Sequence, residues 1–179
     1  MEFKGFEKVG MDTCALISLI TCPSNLENFK NKFCSAGRVF YHSAKVHHEI
    51  MGVLINNFYF DKEEAKDGWK KLVETLNLNL IYWHKKFKEG IEKKVRQANE
   101  QVVLESREKA LKIGEPDIKI ISCFLNEEIN KVYTFDKGFE KTCLKLGMDV
   151  LRLPQEYTRK SEEIRKLNKK FQRDKMVKI

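Results

Sequence analysis

Lys8-Val9-Gly10-Met11-Asp12-Thr13-Cys14-Ala15-Leu16-Ile17-Ser18-Leu19 begins as a short apolar run and passes, across one acidic residue, into a second stretch that is almost wholly apolar. Lys8 to Met11 reads as a buried strand, Thr13 to Leu19 as a helix, and Asp12 as the residue at their junction. A strand that runs straight into a helix is the opening unit of a parallel α/β sheet.

Downstream the alternation recurs. Ser24 to Phe33 carries a cap-like Ser24 and a helical stripe of Leu26, Phe29 and Phe33, then Ala36-Gly37 interrupts and Arg38 to Tyr41 predicts a second strand. Ser43 is placed to cap a helix reaching Asn56, with Val46, Ile50, Val53 and Leu54 on its buried side. Asp61 to Thr75 has Trp69, Leu72 and Val73 on one side, continued by Leu76, and is followed by a strand-like Leu78 to Trp83. Lys85 to Ile113 is long, polar and helical in pattern until Gly114-Glu115-Pro116 stops it. Pro116 then suits the first turn of a helix over Asp117 to Glu127. Val132 to Phe135, Lys137 to Leu146 and Asp149 to Leu153 complete the series as strand, helix and strand. The expected fold is α/β, with a central parallel sheet covered by helices on both faces.

The chain has 179 residues, 42% hydrophobic and 34% charged, which suits one globular body and argues against disorder. Cys14 to Ile20 is much shorter than the roughly 20 apolar residues of a membrane span, and the chain does not open on a basic segment with an apolar run behind it. A cytoplasmic protein without membrane contact is expected. Cys14, Cys22, Cys34, Cys123 and Cys143 form no C-x-x-C pair and no zinc-finger spacing, so free thiols are expected.

Lys and Arg number 34 against 26 Asp and Glu, for a formal charge of +8. Residues 159 to 179 hold nine of the basic residues and three of the acidic ones. The expected division is a body over 1–154 and a tail over 155–179, joined at Leu153-Pro154-Gln155. From Arg159 the tail reads as a basic amphipathic helix with Ile164, Leu167 and Phe171 as its docking stripe. Arg165, Lys166, Lys169, Lys170 and Arg173 are its candidate phosphate contacts, although a lysine-rich helix is also an ordinary solvated surface.

Two acids directly follow apolar strands: Asp12 after Val9-Gly10-Met11, and Asp136 after Val132-Tyr133-Thr134-Phe135. Glu49 lies beside Val46, Ile50 and Val53, and Asp117 sits in the first turn after Pro116. Helix capping explains Asp12 and Asp136 taken singly, the helix dipole explains Asp117, and a boundary position paired with a lysine explains Glu49. They do not explain why four of them recur beside strand ends, where open parallel sheets place their sites.

Those residues carry a resemblance. Val9-Gly10-Met11-Asp12-Thr13-Cys14-Ala15-Leu16-Ile17, Ser43-Ala44-Lys45-Val46-His47-His48-Glu49-Ile50, Gly114-Glu115-Pro116-Asp117-Ile118-Lys119-Ile120 and Val132-Tyr133-Thr134-Phe135-Asp136-Lys137-Gly138-Phe139 resemble, in order and spacing, the PIN-domain family of nucleases. The resemblance runs from about Lys8 to Leu153 and implies a three-layer α/β/α fold and hydrolysis of RNA phosphodiester bonds. It implies metal-binding and catalytic roles for Asp12, Glu49, Asp117 and Asp136, with Mg²⁺ or Mn²⁺ as cofactor and Thr13, Ser43 and Thr134 as supporting hydroxyls. It makes RNA the expected partner, and a small antitoxin protein or a second copy the candidate protein partners. Gly138 departs from the many members that have a further polar or acidic position after the last aspartate.

Other classes fit less well. A haloacid-dehalogenase-like phosphatase needs a second aspartate where Cys14 stands, a dinucleotide enzyme needs two glycines beyond Gly10, and His42, His47, His48 and His84 form no H-E-x-x-H. A catalytically silent RNA-binding scaffold is the alternative that shares the fold, and retention of all four acids argues against it.

Overall fold

Val9 and Met11 are wholly buried, and between them Gly10 lets a helix lie directly on the strand: a Cβ at Gly10 would stand 2.8–2.9 Å from the ring of Phe124. That contact marks the middle of the sheet. The computed structural model describes residues 6–34, 37–82 and 90–176.

The elements run β1 (Glu7–Met11), α1 (Thr13–Ile20), α2 (Pro23–Phe33), β2 (Arg38–Ser43), α3 (Ala44–Asn56), α4 (Lys62–Leu76) and β3 (Asn79–Ile81). They continue with α5 (Ile91–Ser106), a 3-10 turn (Lys109–Leu111), α6 (Glu115–Asn126), β4 (Lys131–Tyr133), α7 (Lys137–Lys145), β5 (Asp149–Leu151) and α8 (Gln155–Met176). The five strands form one sheet in the order β3-β2-β1-β4-β5, with every neighbouring pair parallel.

Right-handed crossovers then place α1 to α4 on one face and α5 to α7 on the other, as their packing against one another bears out. The fold is therefore α/β/α with a central parallel sheet, as expected. From β1 the chain moves outward to β2 and β3, then returns to the other side of β1 for β4 and β5. The connections diverge between β1 and β4, which opens a crevice at their carboxyl ends.

Some local readings are corrected. Ser24 is not the cap of α2; Cys22 occupies that position and Pro23, whose ring is already set for a helix and whose missing N–H costs nothing there, opens the helix. Ser43 is at the N-cap of α3 but makes no side-chain capping bond. The stretch expected as one helix to Ile113 ends at Ser106, where Arg107 turns left-handed at φ 57°, and the 3-10 turn follows. Its beginning at Lys85, the strand end at Trp83, and His84 lie outside the described residues.

The buried Asn99 explains this break. Its side chain donates to Leu111 O at 3.0 Å and Thr142 Oγ1 at 3.0 Å and accepts from Ile113 N at 3.3 Å, so it ties α5, the turn and α7 together. A polar residue in mid-helix thus organises the loop that a helical pattern alone would have overwritten.

The tail also differs from expectation. The helix α8 begins at Gln155, and its docking face is Tyr157, Ser161 and Asn168 with the partly buried Ile164 between them, the one member of the expected stripe Ile164, Leu167 and Phe171 that is not exposed. Tyr157 is wholly buried and its carbonyl accepts from Asn25 Nδ2 at 3.2 Å, Ser161 pairs with Thr21 at 2.7 Å, and Asn168 donates to Phe58 O at 2.9 Å. Leu167 and Phe171 are 66% and 60% exposed. Hydrogen bonds, which apolar periodicity does not register, set this helix's rotation. Among the described residues no helix is long and apolar enough to cross a membrane.

Candidate active site

Asp12 is the N-cap of α1 and is only 3% exposed. Its backbone N–H donates to Tyr133 O at 3.1 Å, which extends the β1–β4 ladder by one step and sets Asp12 beside Thr134. Its Oδ1 accepts from Thr13 N at 2.7 Å, while Oδ2 accepts from Thr134 Oγ1 at 2.8 Å and from Cys14 Sγ at 3.1 Å. Capping is real here, but it engages only one of the two carboxylate oxygens.

Thr134 and Thr13 link this acid to two others. Thr134 Oγ1 accepts from Asp136 N at 3.0 Å, and Thr13 Oγ1 donates to Glu49 Oε2 at 2.7 Å. Asp136 caps α7 through Phe139 N at 2.7 Å, and Asp117 Oδ2 reaches back to Gly114 N at 3.2 Å. The loop that carries Asp117 is pressed against α7, since a Cβ at Gly138 would stand 2.8 Å from Leu111 O. Gly138 is therefore required by the close approach of backbone that brings Asp117 toward Asp136.

Asp117 lies within electrostatic reach of Asp12, Glu49 and Asp136. Burial pushes the Asp12 carboxyl up to about 7, assisted by the charge of Asp117 and opposed by hydrogen bonds from Cys14 and Thr134. Burial likewise raises Asp117 to about 6, with the charges of Glu49 and Asp136 adding to the effect and the Gly114 N–H opposing it. None of the ion pairs among the described residues includes any of the four.

Glu49 Oε1, Asp117 Oδ1 and Asp136 Oδ2 make no hydrogen bond among the described residues. Three oxygens of hard, acidic donors therefore remain available beside a buried fourth carboxylate. Among the described residues, no three His, Cys, Asp or Glu side chains close into a group tight enough to hold a metal ion directly. The donor chemistry suits a hard cation that keeps part of its water shell, as Mg²⁺ does.

Of the three expected supporting hydroxyls, Thr13 and Thr134 bond to the acids, whereas Ser43 Oγ is buried without a hydrogen-bond partner. Continuing the β1–β2 register past Gly10 and Tyr41 sets Ser43 alongside Asp12. All five cysteines are free, as expected, but Cys14 is only partly buried and lies within the cluster. Phe135 N donates to its sulfur at 3.0 Å, so the thiol bridges Asp12 and the β4–α7 loop. Its position two residues after an N-cap acid was the signal for this, because the first helical turn folds back over the cap.

Arg165, Lys166 and Lys169 border a shallow cavity of about 390 Å³ with Asn56, Asn57 and Tyr59. It lies beside the C-terminal end of α3, while α8 crosses the C-terminal end of α1 through Thr21. These are the helix ends opposite to those that begin at Ser43 and Asp12. Lys170 and Arg173 are exposed on the same helix, and Arg165 pairs with Glu162 at 2.8 Å.

No family model and no curated protein matches the chain. Among solved structures it is similar to the crystal structure of VapBC2 from Rickettsia felis bound to a DNA fragment from their promoter, with 16% identity and a TM-score of 0.49 over 81% of this chain and 98% of that one.

Proposed function

We propose that the chain is a divalent-metal-dependent endoribonuclease that hydrolyses RNA phosphodiester bonds over the carboxyl ends of β1 and β4. What supports this reading is that Asp12 ends β1 beside the point where the sheet connections diverge, that Asp117 feels the charges of Glu49 and Asp136 and raises Asp12, and that none of the four joins an ion pair among the described residues. Burial and mutual repulsion of carboxylates raise the free energy of the empty cleft, which favours a cation there. RNA as the substrate follows from the resemblance of the four motifs.

Asp12, Glu49, Asp117 and Asp136 would hold Mg²⁺ or Mn²⁺. Such an ion supplies Lewis-acid neutralisation of the phosphodiester and acidifies water for in-line attack. The chain's own groups do the positioning. Thr134 and Cys14 orient Asp12, Thr13 holds Glu49 against α1, and the N–H groups of Gly114 and Phe139 fix Asp117 and Asp136. The test is incubation of the full-length protein with single-stranded and hairpin RNA and with matching DNA. Cleavage of RNA in Mg²⁺ or Mn²⁺ that stops in EDTA is expected. Undiminished cleavage in EDTA would remove the metal from the reading, and absence of cleavage in either metal would overturn the nuclease.

The basic face of α8 is proposed to hold flanking phosphates. Its basic residues lie beside the carboxyl end of the 13-residue α3, about 20 Å along that helix from its amino end. That excludes them from the scissile phosphate but keeps them within reach of the same strand. Because Tyr157 and Ser161 anchor α8, charge removal is a cleaner probe than deletion. Replacing Lys166, Lys169, Lys170 and Arg173 by Gln is expected to weaken RNA binding and to reduce the slope of log affinity against log salt by about 0.7 for each phosphate that is no longer neutralised. Cleavage at saturating RNA is expected to persist, and an unchanged slope would assign the helix to packing alone.

A further inference from the structure

A cavity of about 360 Å³ lies on the far flank of α3 from the acids, walled by His42, His47, Trp69, Val73 and Leu80. His47 and Glu49 are two residues apart, so they leave α3 on roughly opposite sides. Glu49 reaches α1, whereas His47 meets Trp69 of α4 with ring centroids 4.9 Å apart. The first turns of α3 therefore separate the acidic cleft from this cavity, and a strand lying across that helix's amino end would meet both.

The lining is unusual for a packing defect. Trp69 and His47 are only partly buried although their rings touch, so each side chain keeps some contact with solvent. His42 is buried and stands edge-on to Trp69 at 5.0 Å. Its Nδ1 lies 3.1 Å from Ser43 O, and a carbonyl can only accept, so Nδ1 carries the proton. Burial lowers the imidazole's pKa to about 4, which keeps the ring neutral and leaves Nε2 as an acceptor. Among the described residues Nε2 has no hydrogen-bond partner. Partly exposed aromatic rings and a histidine acceptor lining one cavity match the way unpaired bases are held, stacked on aromatic or histidine rings and bonded along an edge.

We propose that this cavity is a nucleobase subsite, which takes one unpaired base of the RNA strand whose backbone crosses the acidic cleft, stacked on Trp69 and His47 and donating an N–H to His42 Nε2. This rests on the reading of the cleft as an RNA site. The subsite confers preference for single-stranded over paired RNA, because a base within a duplex cannot leave its stack to enter.

The experiment measures anisotropy of fluorescein-labelled single-stranded RNA with the full-length protein in EDTA, where no turnover is required. Trp69→Leu is expected to bind about tenfold more weakly, as loss of one stacking ring allows. One abasic site moved along the oligonucleotide is expected to cost wild type a similar factor at a single position and to cost Trp69→Leu nothing further there. Should circular dichroism show Trp69→Leu unfolded, His47→Ala, at a half-exposed position, carries the same comparison. Wild-type affinity in the folded variant overturns the subsite, including the case in which the cavity serves a protein partner instead. The two readings separate cleanly. Cleavage without these affinity losses sinks the subsite alone, and the losses without cleavage in Mg²⁺ or Mn²⁺ sink the nuclease alone.

Discussion

Asp12→Asn is expected to lower RNA cleavage at saturating Mg²⁺ by about two to three orders of magnitude, the cost typical of removing one preorganised electrostatic stabiliser. The substitution keeps the side chain's size and an oxygen able to accept from Thr13 N, so α1 retains its cap. It removes the charge around which the other acids are arranged. Thr134→Val serves as the graded comparison: Thr134 touches Asp12 and Asp136 N but offers no charge, so a loss of roughly 10- to 100-fold is expected, in the range of groups that orient metal ligands. Single-turnover rates at several Mg²⁺ concentrations check both. A wild-type rate in Asp12→Asn would remove that residue from the chemistry.

The same substitution is expected to stabilise the metal-free protein above neutral pH. Asp12 has its folded value raised from 3.8 to about 7, so the folded state holds a proton that the unfolded chain has already released. Its favourable contribution is complete below about pH 4 and is lost as pH rises through 7. Asp117, raised from 3.8 to about 6, acts in the same direction over a narrower window. His42 opposes them: its folded value is lowered from 6.5 to about 4, so stability from that ring is gained between those pH values. Subtracting the pH profile of Asp12→Asn from that of wild type isolates the aspartate.

That difference is expected to shift against wild type by a few kcal/mol between pH 4 and pH 8, since about 1.4 kcal/mol accompanies each pKa unit. Denaturant melts in EDTA measure it. Adding Mg²⁺ at pH 8 is expected to raise the wild-type midpoint and to leave Asp12→Asn nearly unmoved, because ligand binding to the folded state alone stabilises it. Parallel pH profiles for the two proteins would mean that the Asp12 carboxylate is solvated rather than buried.

Legibility from the chain followed the physics of each feature. Strand-to-helix junctions at Asp12 and Asp136 are local events, written in a change from a short apolar run to helical periodicity, and both appear as N-caps. Glu49 stood out because an acid beside a buried stripe is costly without a purpose. Cys14 could be placed near Asp12 from its spacing, but its bond from Phe135 N, and the loss of any partner for Ser43 Oγ, depend on atoms more than a hundred residues away or on a neighbouring strand. The aromatic cavity was equally hidden, since His42, His47 and Trp69 read as isolated residues of three different elements.

Periodicity, turn residues and charge thus determined the α/β class, the position of most elements within a few residues, and the identity of the candidate acids. These properties depend on near neighbours in sequence, where backbone geometry alone dictates which side chains share a face. Only the tertiary structure decided the strand order β3-β2-β1-β4-β5, the approach of Asp117 to Asp136 past Gly138, and the rotation of α8 onto Thr21 and Asn25. Those depend on close packing and on hydrogen bonds between residues distant in sequence, for which the chain carries no periodic mark. The raised values of Asp12 and Asp117 belong to the same class, because burial and the field of neighbouring carboxylates exist only once the sheet edge has assembled.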